Sequence, residues 1–134
     1  MLLRRIDIWD WTAIVIFSTD GYDNEEVFRH LVECRAPDSI MQKVSANLEM
    51  GRDNEGFTFS NPSLRRSVVY IGPTTSGEEF LSTFVHELAH LVADICIADG
   101  VSLKGEAIAY LEGEIALRLS DIVCKMSCDH CRDF

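Results

Sequence analysis

The chain has 134 residues, enough for one hydrophobic core and too few for two ordinary domains, so residues 1–134 are treated as a single domain. Hydrophobic residues make up 47% and charged residues 25% of the chain, a balance that excludes a largely disordered protein. The formal net charge of −10 argues against nucleic acid and anionic membrane partners, because an acidic surface repels phosphate groups.

The N-terminal region is not expected to direct export or membrane insertion. Asp7 and Asp10 interrupt its apolar residues, whereas a secretory signal needs a continuous apolar core. No apolar run approaches the roughly 20 residues of a membrane-spanning helix. The five cysteines are odd in number and unevenly spread, which fits a reducing compartment. The sequence therefore predicts a cytoplasmic protein without a membrane partner.

A strand and two helices are predicted first. Residues 11–18 (WTAIVIFS) are rich in β-branched and aromatic side chains and predict a buried strand. Residues 23–26 (DNEE) have the spacing of a capping box, which predicts the start of a helix that ends before Pro37. Apolar residues at helical spacing predict a second helix over residues 38–50, with Gly51 as its stop.

Two short strands and two further helices follow. Residues 57–60 and 67–71 predict the strands. A capping box predicts the start of a long helix over residues 76–98, and the last helix is predicted over residues 105–125. This order predicts an α+β fold with any chemistry on the final helix pair.

The segment His86–His90 (HELAH) carries the strongest chemical signal. Residues four apart on a helix share one face, so the imidazoles of His86 and His90 can reach one ion. Zinc accepts imidazole nitrogen, and Glu87 has the position of a general base for a metal-activated water. Chance occurrence of this pattern in so short a chain is on the order of 1% or less.

The alternative is a histidine pair that is exposed or satisfied in the core. The apolar flanks predict a largely buried helix, in which unpaired polar side chains would be costly. Metal is the simplest partner that removes this cost. The apolar flanking residues are Phe84, Val85, Leu88, Leu91 and Val92.

A third ligand is predicted on the last helix. Glu106 stands at its start, and Ala109 and Gly113 follow on the same helical face. Small residues there would let this helix approach the histidine-bearing helix closely. The alternative is a first-turn acid that the helix dipole favours. Glu112 and Glu114 are reserve candidates on other faces of the helix.

Three further features are candidates for supporting roles. Tyr110, one turn after Glu106, is placed to hydrogen-bond a ligand histidine or an oxyanion, or else is a core aromatic residue. Asp94, one turn after His90, orients a ligand, acts as a substitute ligand or is an exposed helix acid. The alternation of Val68 and Tyr70 in residues 67–71 fits a strand that can hold an extended peptide, or any half-buried strand.

A cysteine-rich segment near the C-terminus offers a possible second metal site. The pair Cys128-x-x-Cys131 has ligand spacing, but structural zinc sites combine two such pairs in a folded ribbon. Whether Cys124, Cys128, His130 and Cys131 bind a second metal stays open at the level of sequence.

Residues 56–117 resemble the gluzincin group of zinc peptidases. The closer likeness is to small uncharacterised bacterial and phage-encoded members, in which an HExxH helix is followed by an ExxAYLxG-like helix, here EAIAYLEG. The preceding SVVYIGPTTSGEEFLSTF is also similar. The resemblance implies a zincin-like fold, with a small mostly antiparallel sheet packed on helices and with residues 67–71 as the edge strand of that sheet. It also implies that His86, His90 and Glu106 are zinc ligands and that Glu87 is the catalytic acid/base.

The chain departs from thermolysin in two respects. Tyr110 stands where thermolysin has an aspartate, four residues after its ligand glutamate, and thermolysin's second lobe has no counterpart. We therefore expect a zinc-dependent peptidase with one Zn²⁺ per chain and a peptide or protein substrate. The alternatives are a non-catalytic metal-binding domain that acts through a protein partner, and a hydrolase of another amide bond, including those of cell-wall peptides. The oligomeric state is open.

Overall fold

The computed structural model describes residues 1–19, 24–49 and 56–131, which form an α+β fold. The capping residue predicted at Asp23 and the helix end predicted at Met50 and Gly51 lie outside these ranges. The strands are β1 (Leu2–Ile8), β2 (Trp11–Phe17), β3 (Phe57–Asn61) and β4 (Arg66–Ile71). The helices are α1 (Asn24–Glu33), α2 (Asp38–Glu49), α3 (Gly77–Ala98), α4 (Glu106–Arg118) and α5 (Ser120–Ser127).

The four strands form one mixed sheet in the order β1-β2-β4-β3. The β1–β2 and β3–β4 pairs are antiparallel, and the central β2–β4 pair is parallel. The chain between β2 and β4 contains α1, α2 and β3. This long connection lets β4 run in the same direction as β2. The sheet is thus less uniformly antiparallel than the sequence predicted.

Strand β4 lies inside the sheet, so the prediction that residues 67–71 form its edge is wrong. Its neighbours are β2 on one side and β3 on the other. Val68, Val69, Tyr70 and Ile71 are all buried, and an uninterrupted apolar run is typical of a strand covered on both faces. The outer strand on this side of the described sheet is β3.

Strand β1 was not predicted, because Arg4, Arg5 and Asp7 interrupt its apolar pattern. As an outer strand it needs little apolar surface, and only Ile6 is buried. Trp9 and Asp10 connect it to β2 with φ angles of 53° and 56°. Positive φ at both central residues belongs to the type I′ turn, which matches the twist of a two-residue hairpin.

Helices cover both faces of the sheet. On one face α3, α4 and α5 pack over a core that includes Trp11, Phe17, Phe80, Leu91 and Ile115. On the other face α1 and α2 cover a second core that includes Val27, Leu31, Val44 and Tyr70. The candidate motif lies on the helix that crosses the first face.

The predicted start of α3 at Ser76 is confirmed. The backbone N–H of Glu79 donates to the Ser76 hydroxyl at 3.1 Å, which caps the helix. The next residue, Gly77, donates its N–H to Oδ1 of Asp129 at 2.5 Å. A Cβ atom at Gly77 would collide with the carbonyl oxygen of Ser127. The segment after α5 is therefore docked on the N-terminus of α3.

The helix predicted over residues 105–125 is divided in two. Leu119, with φ −102° and ψ 4°, ends α4 and precedes α5. Its side chain is buried, and the change of direction brings Ile122 and Met126 into the same core. The apolar residues keep a nearly continuous helical spacing across Leu119. Sequence periodicity therefore could not show that the helix is divided there.

Helix α3 meets the requirement for crossing a membrane by length and composition alone. An 18-residue stretch of this 22-residue helix has a mean hydropathy of 1.4, so the expectation that no stretch approaches this requirement is wrong. Within the described ranges it is the one helix that does so, and 44% of the apolar stretch is buried inside the protein. Core helices pass the same test, so α3 is weak grounds for a membrane partner.

Candidate metal centre

Helix α3 separates the three polar residues of the HExxH motif between two environments. Its core-facing ridge contains Phe80, Phe84, Leu88, Leu91 and Ile95. Glu87 lies on the margin of this ridge and is only 4% exposed, whereas His86 and His90 point to solvent. The helical period produces this result. Residues four apart, such as His86 and His90, share a face, whereas Glu87 is rotated by about 100° around the helix axis from His86.

The two imidazoles face each other across one helical turn. Their Nε2 atoms lie 3.2 Å apart, and the rings are inclined at 75°. Two nitrogens that are each about 2.0–2.1 Å from a tetrahedral zinc ion are roughly 3.3 Å apart. The observed separation thus fits two ligands of one zinc ion. It also fits a hydrogen bond between two neutral imidazoles, in which one Nε2 donates to the other.

The argument that buried histidines require a metal is wrong for this pair. Both side chains are solvent-exposed, so water can satisfy their nitrogens without cost. Glu87 is buried, but its carboxylate accepts a hydrogen bond from Thr58 and so has a partner within the protein. What favours metal binding by His86 and His90 is therefore their convergence on one point, which leaves that point open to solvent.

The carboxylate of Glu87 is held against the outer strand β3. The hydroxyl of Thr58 donates to Oε1 of Glu87 at 3.0 Å and lies 3.2 Å from the Glu87 carbonyl oxygen. Gly56 provides the space for this carboxylate, since a Cβ atom there would lie 2.7 Å from Cγ of Glu87. Sequence reasoning missed Gly56 and Thr58. The sequence signal that could have found Thr58 was strand alternation, which places its side chain on the other face of β3 from Phe57 and Phe59.

A directed chain of hydrogen bonds links Asp94 to the sheet. The Ser60 hydroxyl donates to Oδ2 of Asp94 at 2.6 Å, and Ser67 lies 2.7 Å from Ser60. Nε1 of Trp11 donates to the Ser67 hydroxyl at 2.9 Å. Because indole only donates and Ser60 donates to the carboxylate, Ser67 donates to Ser60. Asp94 is thus half-buried and bonded to β3, rather than an exposed helix acid.

Helix α4 presents the predicted third ligand to solvent. Glu106 is exposed, and α4 packs on the core through Leu111 and Ile115. Among the residues that the structure describes, no three His, Cys, Asp or Glu side chains gather closely enough to hold a metal ion. Glu106 is therefore not assembled with His86 and His90, and its role as a ligand stays a prediction.

The packing reason given for Glu106 is wrong. A Cβ atom at Gly113 would meet nothing within 4 Å, and Ala109 is exposed. These small residues face away from α3, since positions 111 and 115 occupy the packed side of the helix. The position of Glu106 is explained instead by the helix dipole, which favours a carboxylate in the first turn of α4.

Tyr110 is 75% exposed, so the alternative of a core aromatic residue is wrong. It lies one turn after Glu106 on the same exposed face of α4. Its proposed contact with a ligand or an oxyanion stays a prediction. Of the reserve candidates, Glu114 accepts a hydrogen bond from Nε of Arg118 at 3.1 Å, and Glu112 is half-buried.

The C-terminal group of potential ligands is exposed. Cys124 lies on α5, and Cys128, His130 and Cys131 lie in the turn that follows it. They are not among any described set of three side chains that could hold a metal ion. A second metal site at this place stays a hypothesis.

Comparison with known proteins gives no family or function for the chain, so any proposed function rests on its own residues. No family model, no curated protein and no solved structure matches the chain.

Proposed function

We propose that the protein is a zinc-dependent peptidase with a zincin-like fold. The observation that carries the proposal is the 3.2 Å separation of the His86 and His90 Nε2 atoms on the exposed face of α3. That distance fits a shared tetrahedral zinc ion, and Glu87 lies between the two histidines in the chain.

His86 and His90 would hold the metal, with Glu106 as the proposed third ligand. When bound, zinc acts as a Lewis acid that makes a water nucleophilic near neutral pH and polarises a carbonyl group. Exposure of the imidazoles leaves room for a substrate above this point. One zinc ion per chain is expected.

Glu87 would act as the general base. Its carboxylate takes a proton from the attacking water and delivers it to the nitrogen of the leaving amine. The Thr58 hydroxyl restricts the carboxylate through Oε1, so Oε2 is the atom proposed to carry the proton. Burial of the side chain to 4% exposure removes competing water from most of its surface.

An extended peptide would bind along β3, the outer strand next to α3. β3 pairs with β4 on one side. No strand of the described residues pairs with its other side, where a peptide would bind through main-chain hydrogen bonds. Thr58 joins this strand to Glu87, so a peptide bound there would lie beside the proposed base. This assignment replaces the one expected for residues 67–71.

A comparison of Glu87→Gln with the wild-type protein tests the peptidase proposal. Both proteins are loaded with zinc and incubated with a diverse peptide pool, and products are identified by mass spectrometry. We expect hydrolysis by the wild type and by Glu78→Gln, a matched control at an exposed position of the same helix, and loss of hydrolysis in Glu87→Gln. Equal cleavage by all three proteins would remove the catalytic role of Glu87.

A second candidate is a non-catalytic zinc-binding domain that acts through a protein partner. Tyr110 and Leu117 favour it, because they lie two turns apart on one face of α4 with 75% and 66% of their surface exposed and neighbouring exposed apolar side chains are typical of interaction sites. Stoichiometric zinc binding by the wild type, with no cleavage of any peptide in the pool, would favour this candidate.

A further inference from the structure

The segment after α5 forms a closed turn with a cysteine at each end. The N–H of Cys131 donates to the carbonyl oxygen of Cys128 at 3.0 Å. Such a turn brings the first and fourth Cα atoms within about 7 Å. A disulfide needs a Cα separation of about 4.4–6.8 Å. The backbone therefore holds the two residues at a distance that a disulfide can bridge.

The two thiols influence each other's ionisation. Hydrogen bonding from the Cys131 thiol, and from the backbone N–H groups of Cys131 and His130, lowers the pKa of Cys128. The same interaction raises the pKa of Cys131. The donors thus single out Cys128 as the thiolate of the pair.

The turn is also fixed to the body of the protein. Asp129, between the two cysteines, accepts the N–H of Gly77 at 2.5 Å. Cys128 and Cys131 are nevertheless exposed, so a small molecule can reach both. The other exposed cysteine, Cys124, lies on α5 outside this turn. Because no third metal-binding side chain joins the pair among the described residues, two-thiol chemistry is favoured over a metal site.

We propose that Cys128 and Cys131 form a thiol–disulfide exchange site for low-molecular-weight disulfides. The Cys128 thiolate attacks one sulfur of the small disulfide; a mixed disulfide forms, and one small thiolate leaves and takes up a proton. Cys131 then loses its proton and attacks the Cys128 sulfur, and the second small thiol leaves. The protein loses two electrons and two protons, and the small disulfide gains them. The reverse steps restore the dithiol.

This site is independent of the proposed peptidase function, and it is tested on the full chain without added metal. The reduced protein is incubated with oxidised glutathione, quenched with an alkylating reagent, and analysed by peptide mass spectrometry. We expect the wild-type segment to lose two hydrogen atoms and to carry no adduct. Cys131→Ser is expected to stop at one glutathione on Cys128, because the resolving thiol is missing.

Cys124→Ser provides the matched control, since it removes an exposed cysteine outside the turn. It is expected to form the same Cys128–Cys131 disulfide as the wild type. Any of three results would overturn the proposal: wild-type protein in which both thiols stay reduced, a stable glutathione adduct on wild-type Cys128, or a disulfide that involves Cys124. All three are read from the same spectra.

Discussion

The hydroxyl of Thr58 lies 3.0 Å from Oε1 of Glu87 and joins the outer strand of the sheet to the HExxH helix. Thr58 is half-buried and Glu87 is buried, so water cannot readily replace this donor. A carboxylate that loses its donor in such a place retains the cost of its desolvation. The pair therefore bears on stability whatever the protein catalyses.

Substitution of Thr58 by Val keeps the shape of the side chain and removes the hydroxyl. We expect Thr58→Val to lower the free energy of unfolding by about 1–3 kcal/mol, because the Glu87 carboxylate loses its donor. Chemical denaturation measures this change. Thr58→Ser keeps the donor and serves as the control. A Val variant as stable as the Ser variant would contradict the assigned hydrogen bond.

Gly56 and Gly113 offer a matched pair of Gly→Ala substitutions. A Cβ atom at Gly56 would lie 2.7 Å from both Cγ of Glu87 and the carbonyl oxygen of Tyr70, so we expect Gly56→Ala to cost about 1–3 kcal/mol of stability. A Cβ atom at Gly113 meets nothing within 4 Å. Gly113→Ala, inside α4, should stabilise the protein by roughly 0.5–1 kcal/mol. Thermal unfolding should show a lower melting temperature than the wild type for Gly56→Ala and a higher one for Gly113→Ala.

Zinc binding by the two imidazoles can be measured directly. We expect about one zinc ion per wild-type chain and loss of binding in His86→Ala. Because the native state alone offers converged imidazoles, zinc at about 100 times its Kd should stabilise the wild type by about 2.7 kcal/mol. His130→Ala removes an exposed histidine from the C-terminal turn and should bind zinc normally. Retention by His86→Ala with loss in His130→Ala would place the metal elsewhere.

The role of Glu106 can be separated from that of other acids on α4. We expect Glu106→Gln to weaken zinc binding by about tenfold or more, since even residues that only orient a ligand contribute that much. Glu112→Gln, on the same helix and with the same change of charge, should leave the affinity unchanged. Titration with a competing chelator measures both. Equal affinities would show that Glu106 is a first-turn acid and no ligand.

Asp99 and Arg65 predict a pH dependence of stability. The Arg65 guanidinium donates to Oδ1 and Oδ2 of Asp99 at 2.6 and 3.1 Å, and this hydrogen bonding holds the pKa of Asp99 below its usual value of 3.8. A lowered folded-state pKa stabilises the protein above about pH 3.8, and the contribution disappears as pH falls through the folded pKa.

The test compares Asp99→Asn with the wild type by denaturation across this range. We expect the wild type to be the more stable at neutral pH and the two curves to converge at strongly acidic pH. The difference should be small, because the pair is partly exposed and water screens it. If the difference in stability between the two proteins were the same at every pH, the charge of Asp99 would not be its cause.

Local spacing was sufficient for several features of the fold. The start of α2 follows from apolar period, the bounds of α3 follow from capping and apolar period, and the Ser76 cap is present as predicted. The same spacing placed His86 and His90 on one helical face, where their rings converge. These features depend on interactions within a few residues of the chain, so they can be derived from the sequence.

Features that depend on which surface the core covers could not be derived in this way. The spacing of Glu106, Ala109 and Gly113 shows that they share a face of α4, but packing of Leu111 and Ile115 turned that face to solvent. The pairing of β4 with two strands and the bond between Thr58 and Glu87 likewise join distant parts of the chain. The sequence by itself determined which residues travel together on an element. Only the tertiary structure decided which of them meet, because burial and long-range pairing are settled by the competition among all elements for one core.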